Sequence, residues 1–272
     1  MYNDIKCIPR LKKHLKRVHL FYGAFFRIII VKERIYMAAK MGNKKKVWII
    51  GAGAVILVVL IVVIISGLMK KSEIFPTFAD VDGKIETQVG DFKLDKQAFL
   101  GDPNAPVKII EILDYKCPYC AVWTNDNFPQ LKKEYIDTGK VQLYIVNFPF
   151  IGPDSIKAAM VGEILWKQNH EAFWEFHEAL GAHQGKEDSI WANEKSLLSI
   201  VKQYVPHGDV DAVKKSLKKL EGLFEVKEDF KISTTNGVSS VPTFIVDGQK
   251  YENPELDELY QAIDSKLSTT TK

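Results

Sequence analysis

Two cysteines with two residues between them, Cys117-Pro118-Tyr119-Cys120, are the side chains of this 272-residue sequence best suited to covalent chemistry. The gap sets the sulfurs one helical turn apart, close enough to join as a disulfide. Exchange needs a thiolate, so the pair is useful only where a pKa is lowered. It sits where an apolar run ends and a helical pattern begins. Unpaired N–H groups and the positive dipole end of a helix N-terminus favour a thiolate there. Pro118 suits the first helical turn, where its missing N–H would have no partner. Lys116 adds positive charge beside the pair, of little effect if that side chain is flexible and exposed.

Other uses of a CxxC are weaker. A structural zinc site needs two further ligands at matching spacing, and His170, His177, His183 and His207 form no paired motif. A purely structural disulfide closing so small a ring gives little loop-entropy stabilisation. Redox chemistry is the favoured reading. A second constellation supports it: Gly237-Val238-Ser239-Ser240-Val241-Pro242-Thr243. Proline is permitted at the start of a strand, and alone it means no more. Beside a CxxC pair, it is the expected place for a loop carrying a cis-proline opposite the sulfurs. The Val241 backbone is then free to pair with an extended peptide.

The elements that position these residues are legible from periodicity. Val107 to Leu113 is a β-branched apolar run, a buried strand. Cys117 to Gly139 reads as helical, with Pro129 as an interior break and Gly139 as a stop. Val141 to Phe148 is a second strand, so strand, helix and strand imply a right-handed parallel crossover. Helical patterns fill residues 155 to about 235, with Phe173, Phe176 and Leu180 on one face and Val210, Val213, Leu217 and Leu220 on another. Trp166, Phe173, Trp174 and Phe176 read as core packing. Thr243 to Gly248 and the QKYEN stretch form a hairpin turning at Asp247-Gly248, before a last helix with Leu256, Leu259, Tyr260, Ile263 and Leu267 at helical spacing. The sum is an α/β, thioredoxin-like fold with an inserted helical subdomain.

FLGDPNAPVKIIEILDYKCPYC, then FPQLKKEYIDTGKVQLYIVNFPF, EAFWEFHEAL and GVSSVPTFIVDG, together resemble the DsbA-like branch of the thioredoxin superfamily over residues 90 to 268. Within it, the chain resembles the membrane-anchored extracytoplasmic oxidases of Gram-positive bacteria, which a quinone-linked membrane protein reoxidises. The resemblance implies that Cys117 is the exposed nucleophile and Cys120 the resolving thiol. Pro242 is then the cis-proline, with Val241 before it contacting substrate. Glu111, six residues before Cys117, is then the family's buried carboxylate that helps move protons; from the sequence alone the alternative is a strand residue facing solvent. Pro118-Tyr119 departs from the Pro-His pair of the family's strongest oxidant, and Tyr119 has no imidazolium to stabilise a thiolate.

Charge and hydropathy set the compartment. Residues 1–46 hold 13 Lys+Arg and two acids, residues 47–69 hold no charge, and residues 70–272 carry a net charge of −8, although the whole chain is +3. As a helix, 23 apolar residues rise roughly 35 Å, enough to cross a hydrocarbon core. Lys44, Lys45 and Lys46 keep the N-terminal side cytoplasmic. No small-x-small cleavage site follows the run, so an uncleaved signal anchor is expected. Residues 70–90 read as a linker with a reach of roughly 25 Å if flexible, 91–268 as the catalytic domain and 269–272 as a tail. Lys32-Glu33 can be encoded AAG-GAG, a ribosome-binding sequence three codons before Met37, which makes Met37 the expected start and 1–36 untranslated.

The expected activity is introduction of disulfides into exported proteins with reduced cysteines. A reductase or isomerase of the same fold is the rival within the class, and a non-catalytic binding module the rival outside it. Neither an organic cofactor nor a nucleic-acid partner is expected. The acidic ectodomain offers oxygen ligands for a structural Ca²⁺, but no EF-hand loop organises them.

Overall fold

The computed structural model describes residues 55–61 and 73–270. The chain divides into two units, Met1–Ser72 and Glu73–Lys272. The basic segment, the start at Met37 and most of the 47–69 span lie outside the described residues. Residues 55–61 are helical with their apolar side chains exposed. Among the described residues no helix is long and apolar enough to cross a membrane.

The second unit is built on a five-stranded sheet: β1 (Ala98–Leu100), β2 (Val107–Leu113), β3 (Val141–Asn147), β4 (Thr243–Val246) and β5 (Gln249–Glu252), in the order β1-β3-β2-β4-β5. β2 and β3 pair in parallel, Ile109 opposite Leu143, and all other neighbours are antiparallel. β2 and β3 are buried along nearly their whole length. Their continuous rather than alternating apolar runs are those of strands covered on both faces. The three-residue β1 lies outside the sequence expectation, being too short to show a period. The turn at Asp247 and Gly248 has φ of +49° and +85°, the backbone that a tight two-residue hairpin needs.

The crossover from β2 to β3 runs through α1 (Pro118–Val122), a π-turn at Trp123–Asn127, α2 (Phe128–Leu131) and a second π-turn at Lys132–Ile136. Pro129 thus opens a new helical turn instead of breaking the run, because the wider π-turn before it absorbs the missing N–H. Five helices follow: α3 (Pro153–Gln168), α4 (His170–Ala182), α5 (Glu194–Tyr204), α6 (Val210–Lys218) and α7 (Leu223–Thr235). Phe173, Trp174, Phe176 and Leu180 of α4 are buried, and the Trp174 ring stacks on Phe128 with centroids 5.7 Å apart. α8 (Leu256–Thr270) closes the chain, burying Leu259 and Ile263.

Residues 73–90 differ from the flexible linker expected. Glu73 pairs with Lys157 and accepts from the Glu194 N–H at 2.8 Å. The Phe78 ring packs on Phe230 of α7 with centroids 5.1 Å apart. Lys227 Nζ donates to the Val81 carbonyl at 2.8 Å, and the Gly90 N–H to Asn236 Oδ1 at 2.7 Å. The segment is a strap laid along α7. Its apolar contacts are too sparse in sequence to register as an element.

Candidate active site

Cys117 is the N-cap of α1, with extended backbone (φ −72°, ψ 122°), and its carbonyl accepts from the Ala121 N–H at 3.1 Å. The tight turn before it is set by Asp114, whose carbonyl accepts the Cys117 N–H at 2.9 Å. Asp114 Oδ1 takes the Lys116 N–H at 2.8 Å, and Oδ2 takes those of Phe150 and Ile151 at 2.9 Å. One buried carboxylate thereby ties the cysteine loop to the chain leaving β3. Burial raises the Asp114 pKa and these N–H donors oppose the rise.

Across the site, the Val241–Pro242 peptide is cis, and the Cys117 thiol donates to the Val241 carbonyl at 3.4 Å. The contact brings Cys117, Cys120, Val241 and Pro242 to one locus. Pro118 occupies the first turn of α1, and Tyr119 is 66% exposed.

The two sulfurs are free thiols and differ sharply in acidity. The Cys120 thiol donates to Cys117 and holds its pKa down to about 7; burial opposes this, and the N–H groups of Cys120 and Tyr119 assist. Burial pushes Cys120 well above the ordinary thiol value, and its bond and repulsion with Cys117 add to the rise. One expectation is corrected: Cys117 is not an exposed residue. It is 5% exposed against 4% for Cys120; what separates the pair is the hydrogen bond that lowers Cys117 and the heavier desolvation that raises Cys120.

Lys116 is a second correction. It is buried, with Nζ 2.8 Å from Asp154 Oδ1 and 2.9 Å from the Ser189 carbonyl. An ion pair, not a flexible exposed cation, stands beside the cysteines, and its charge is directed at Asp154. Gln184, which sequence reasoning missed, donates Nε2 to the carbonyls of Tyr115 and Cys117, each at 2.9 Å. No sequence signal marks a glutamine 67 residues downstream.

Glu111 lies on β2 opposite Phe244 of β4 and is fully buried, so the solvent-facing alternative is excluded. Neither carboxyl oxygen meets a protein hydrogen-bond partner. Burial pushes its pKa to about 8, so the neutral acid dominates at pH 7.

Among the described residues no three His, Cys, Asp or Glu side chains converge in a metal-binding cluster. A buried polar group of other composition lies at the end of β3. Asn147 Nδ2 bridges Glu163 (2.8 Å) and Asp229 (3.0 Å), Gln97 Nε2 donates to Asp229 at 2.9 Å, and Asn147 Oδ1 has no partner. Burial raises both acids. These four side chains are where the described residues could hold a hard, oxygen-seeking cation such as Ca²⁺.

The family model described as Thioredoxin matches residues 79–265. The chain belongs to the thioredoxin family. It is 42% identical over 176 residues to a probable disulfide bond formation protein D of Bacillus anthracis, covering 65% of this chain and 81% of that protein. Identity to the disulfide bond formation protein D of Bacillus subtilis is 32% over 172 residues, covering 63% and 77%. Among solved structures, oxidised BdbD from Bacillus subtilis superposes with a TM-score of 0.62 at 29% identity, covering 69% of this chain and all of that one. Chlamydia trachomatis DsbA shares the fold with a TM-score of 0.59 at 23% identity, covering 68% and 96%. This thioredoxin-family chain is a DsbA-like enzyme of thiol–disulfide exchange.

Proposed function

We propose that the enzyme introduces disulfides into exported proteins through Cys117 and Cys120, outside the cytoplasmic membrane of a Gram-positive bacterium and held there by the apolar span 47–69. The split acidity of the two thiols carries the chemical reading. A sulfur near pKa 7 is a good nucleophile and a good leaving group, whereas its partner holds its proton. The direction of exchange is supported by the relatives named for disulfide bond formation.

The cycle begins with a Cys117–Cys120 disulfide. A substrate thiolate attacks Cys117 Sγ; the new substrate–Cys117 bond forms as the Cys117–Cys120 bond breaks, and the electron pair leaves on Cys120, which takes a proton. A second substrate thiolate then attacks the substrate sulfur and expels Cys117 as a thiolate. The substrate is oxidised and the enzyme keeps both electrons as a dithiol. Glu111, neutral at pH 7, stands as a proton donor under the pair, and the Val241 backbone is placed to pair with the substrate chain. Reoxidation falls to a quinone-linked membrane protein, since the anchor confines the domain to that surface.

Replacing Cys120 with Ser removes the resolving thiol. In exporting cells the C120S chain should accumulate mixed disulfides with substrates on Cys117; their absence would overturn the proposal in favour of a non-catalytic role.

A further inference from the structure

The opening of a Cys117–Cys120 disulfide leaves a negative charge on the more deeply held sulfur. Cys120 is buried, and that burial, Cys117 on its own turn, Glu111 on β2 and Tyr115 in the preceding loop all disfavour a thiolate, outweighing the backbone hydrogen bond of Asp114 that favours one. The charge must therefore be met by a proton as the bond breaks. Glu111 can supply one.

A second route is built into the fold. A cavity of about 10 Å³ lies against Cys120, bounded also by Ala121, Thr124, His177, Gly181 and Gln184. That is about the room one ordered water needs. Cys120 and Thr124 come from the α1 end of the crossover, and His177 from α4. Thr124 Oγ1 stands 3.4 Å from His177 Nε2, and His177 Nδ1 3.5 Å from the Tyr115 hydroxyl. Both contacts are at the long limit of hydrogen bonding and leave room for a further partner. A water here would meet the sulfur, a hydroxyl and an imidazole nitrogen, within the two to four polar partners that buried waters make. His177 is buried among Tyr115, Phe128 and Trp174 and kept neutral by that burial, its pKa down to about 4. It offers hydrogen bonds without a fixed charge. Gly181, Gln184 and Ala121 are half-buried, so the cavity has a rim at the surface. Glu111 does not line it.

We propose that this cavity is a water port, holding one water on Thr124 and His177 and passing protons between solvent and Cys120. The proposal rests on the redox reading of the cysteine pair. As the substrate thiolate bonds to Cys117, the disulfide electron pair goes to Cys120. The water gives that sulfur a proton, and bulk solvent returns one to the water. During reoxidation the same water removes the Cys120 proton. Thr124 and His177 are positioning residues in this scheme.

The test is single-turnover oxidation of a reduced cysteine peptide by the full chain in detergent micelles, from pH 6 to 9, in H₂O and D₂O. Thr124→Val keeps the shape and removes the hydroxyl. It should slow disulfide opening about tenfold, less than the roughly 10²–10⁴-fold of full acid–base catalysis because Glu111 remains as a second donor, and change the solvent isotope effect. Thr124→Ser should restore both. Gly181→Ala, whose added Cβ would sit 3.0 Å from Thr124 Cγ2, narrows the rim and should also slow the step, which keeps the test decisive if T124V fails to fold. If T124V or G181A folds and reacts within about twofold of wild type with an unchanged isotope effect, the port is wrong. Failure of the underlying redox reading is separate: then C120S traps no substrate at all.

Discussion

Lys116 Nζ stands 2.8 Å from Asp154 Oδ1, a buried ion pair joining the residue before Cys117 to the first turn of α3. Asp154 Oδ2 also accepts the N–H groups of Trp191 and Ala192 at 3.0 Å. The loop between α4 and α5, the start of α3 and the cysteine turn thus share one carboxylate. Removing one partner strands a buried charge, so Asp154→Ala should destabilise by roughly 3–5 kcal/mol in urea unfolding. The double change K116M/D154L should recover much of that loss. A D154A cost under about 1 kcal/mol would deny the pair this role.

Cys117 should titrate about two units below an ordinary cysteine. Its pKa near 7 comes first from the thiol donor of Cys120, and a serine hydroxyl can replace that donor. Alkylation of C120S against pH should therefore be half-maximal near pH 7, and that of C120A nearer the ordinary thiol value. A depressed pKa stabilises the folded dithiol form above the unfolded-state pKa and loses that contribution as pH falls through 7. The dithiol form should accordingly gain on the disulfide form, by this group, between pH 7 and 9.

Glu111 works in the opposite sense. Its folded pKa, near 8, lies above the ordinary 4.5, so its stability contribution is intact below pH 4.5 and is lost as pH rises through 8. Glu111→Gln should be relatively more stable than wild type at pH 8 than at pH 5, by urea midpoint, while slowing disulfide opening. An equal stability difference at both pH values would mean that the carboxyl is not held neutral.

The strap offers a structural test. Gly83 has φ +151°, and an added Cβ would run into the Phe224 ring. Gly83→Ala should loosen residues 74–90, at about 1–3 kcal/mol of overpacking cost, visible as faster amide exchange and cleavage there with the cysteine site unaffected. A strap already as exchangeable as free chain in the wild type would contradict the docked arrangement.

The fold was legible where side-chain type alone decides position. The apolar runs gave β2 and β3, Asp247-Gly248 gave the hairpin, and Cys117 to Cys120 with Val241-Pro242 gave the heart of the site. Partnerships made by distant polar residues were not legible. Lys116 reads as a surface cation until Asp154, 38 positions away, is brought to it. Gln184 carries no motif, and Glu111 cannot be sorted from a solvent-facing strand residue before both faces of β2 are known to be covered. The strap was misread because two or three anchoring contacts, such as Phe78 on Phe230, produce no period.

The direction of exchange is read from the equilibrium of the full chain with glutathione. A Cys117 pKa near 7 is also what thioredoxin has, so acidity alone does not set the direction; the potential does. As an oxidase the Cys117–Cys120 pair should have a potential of about −180 to −120 mV, the range from protein disulfide isomerase to DsbA. Tyr119 supplies no imidazolium, which favours the lower part of that range. A value near about −270 mV, that of thioredoxin, would make the enzyme a reductase and contradict the account.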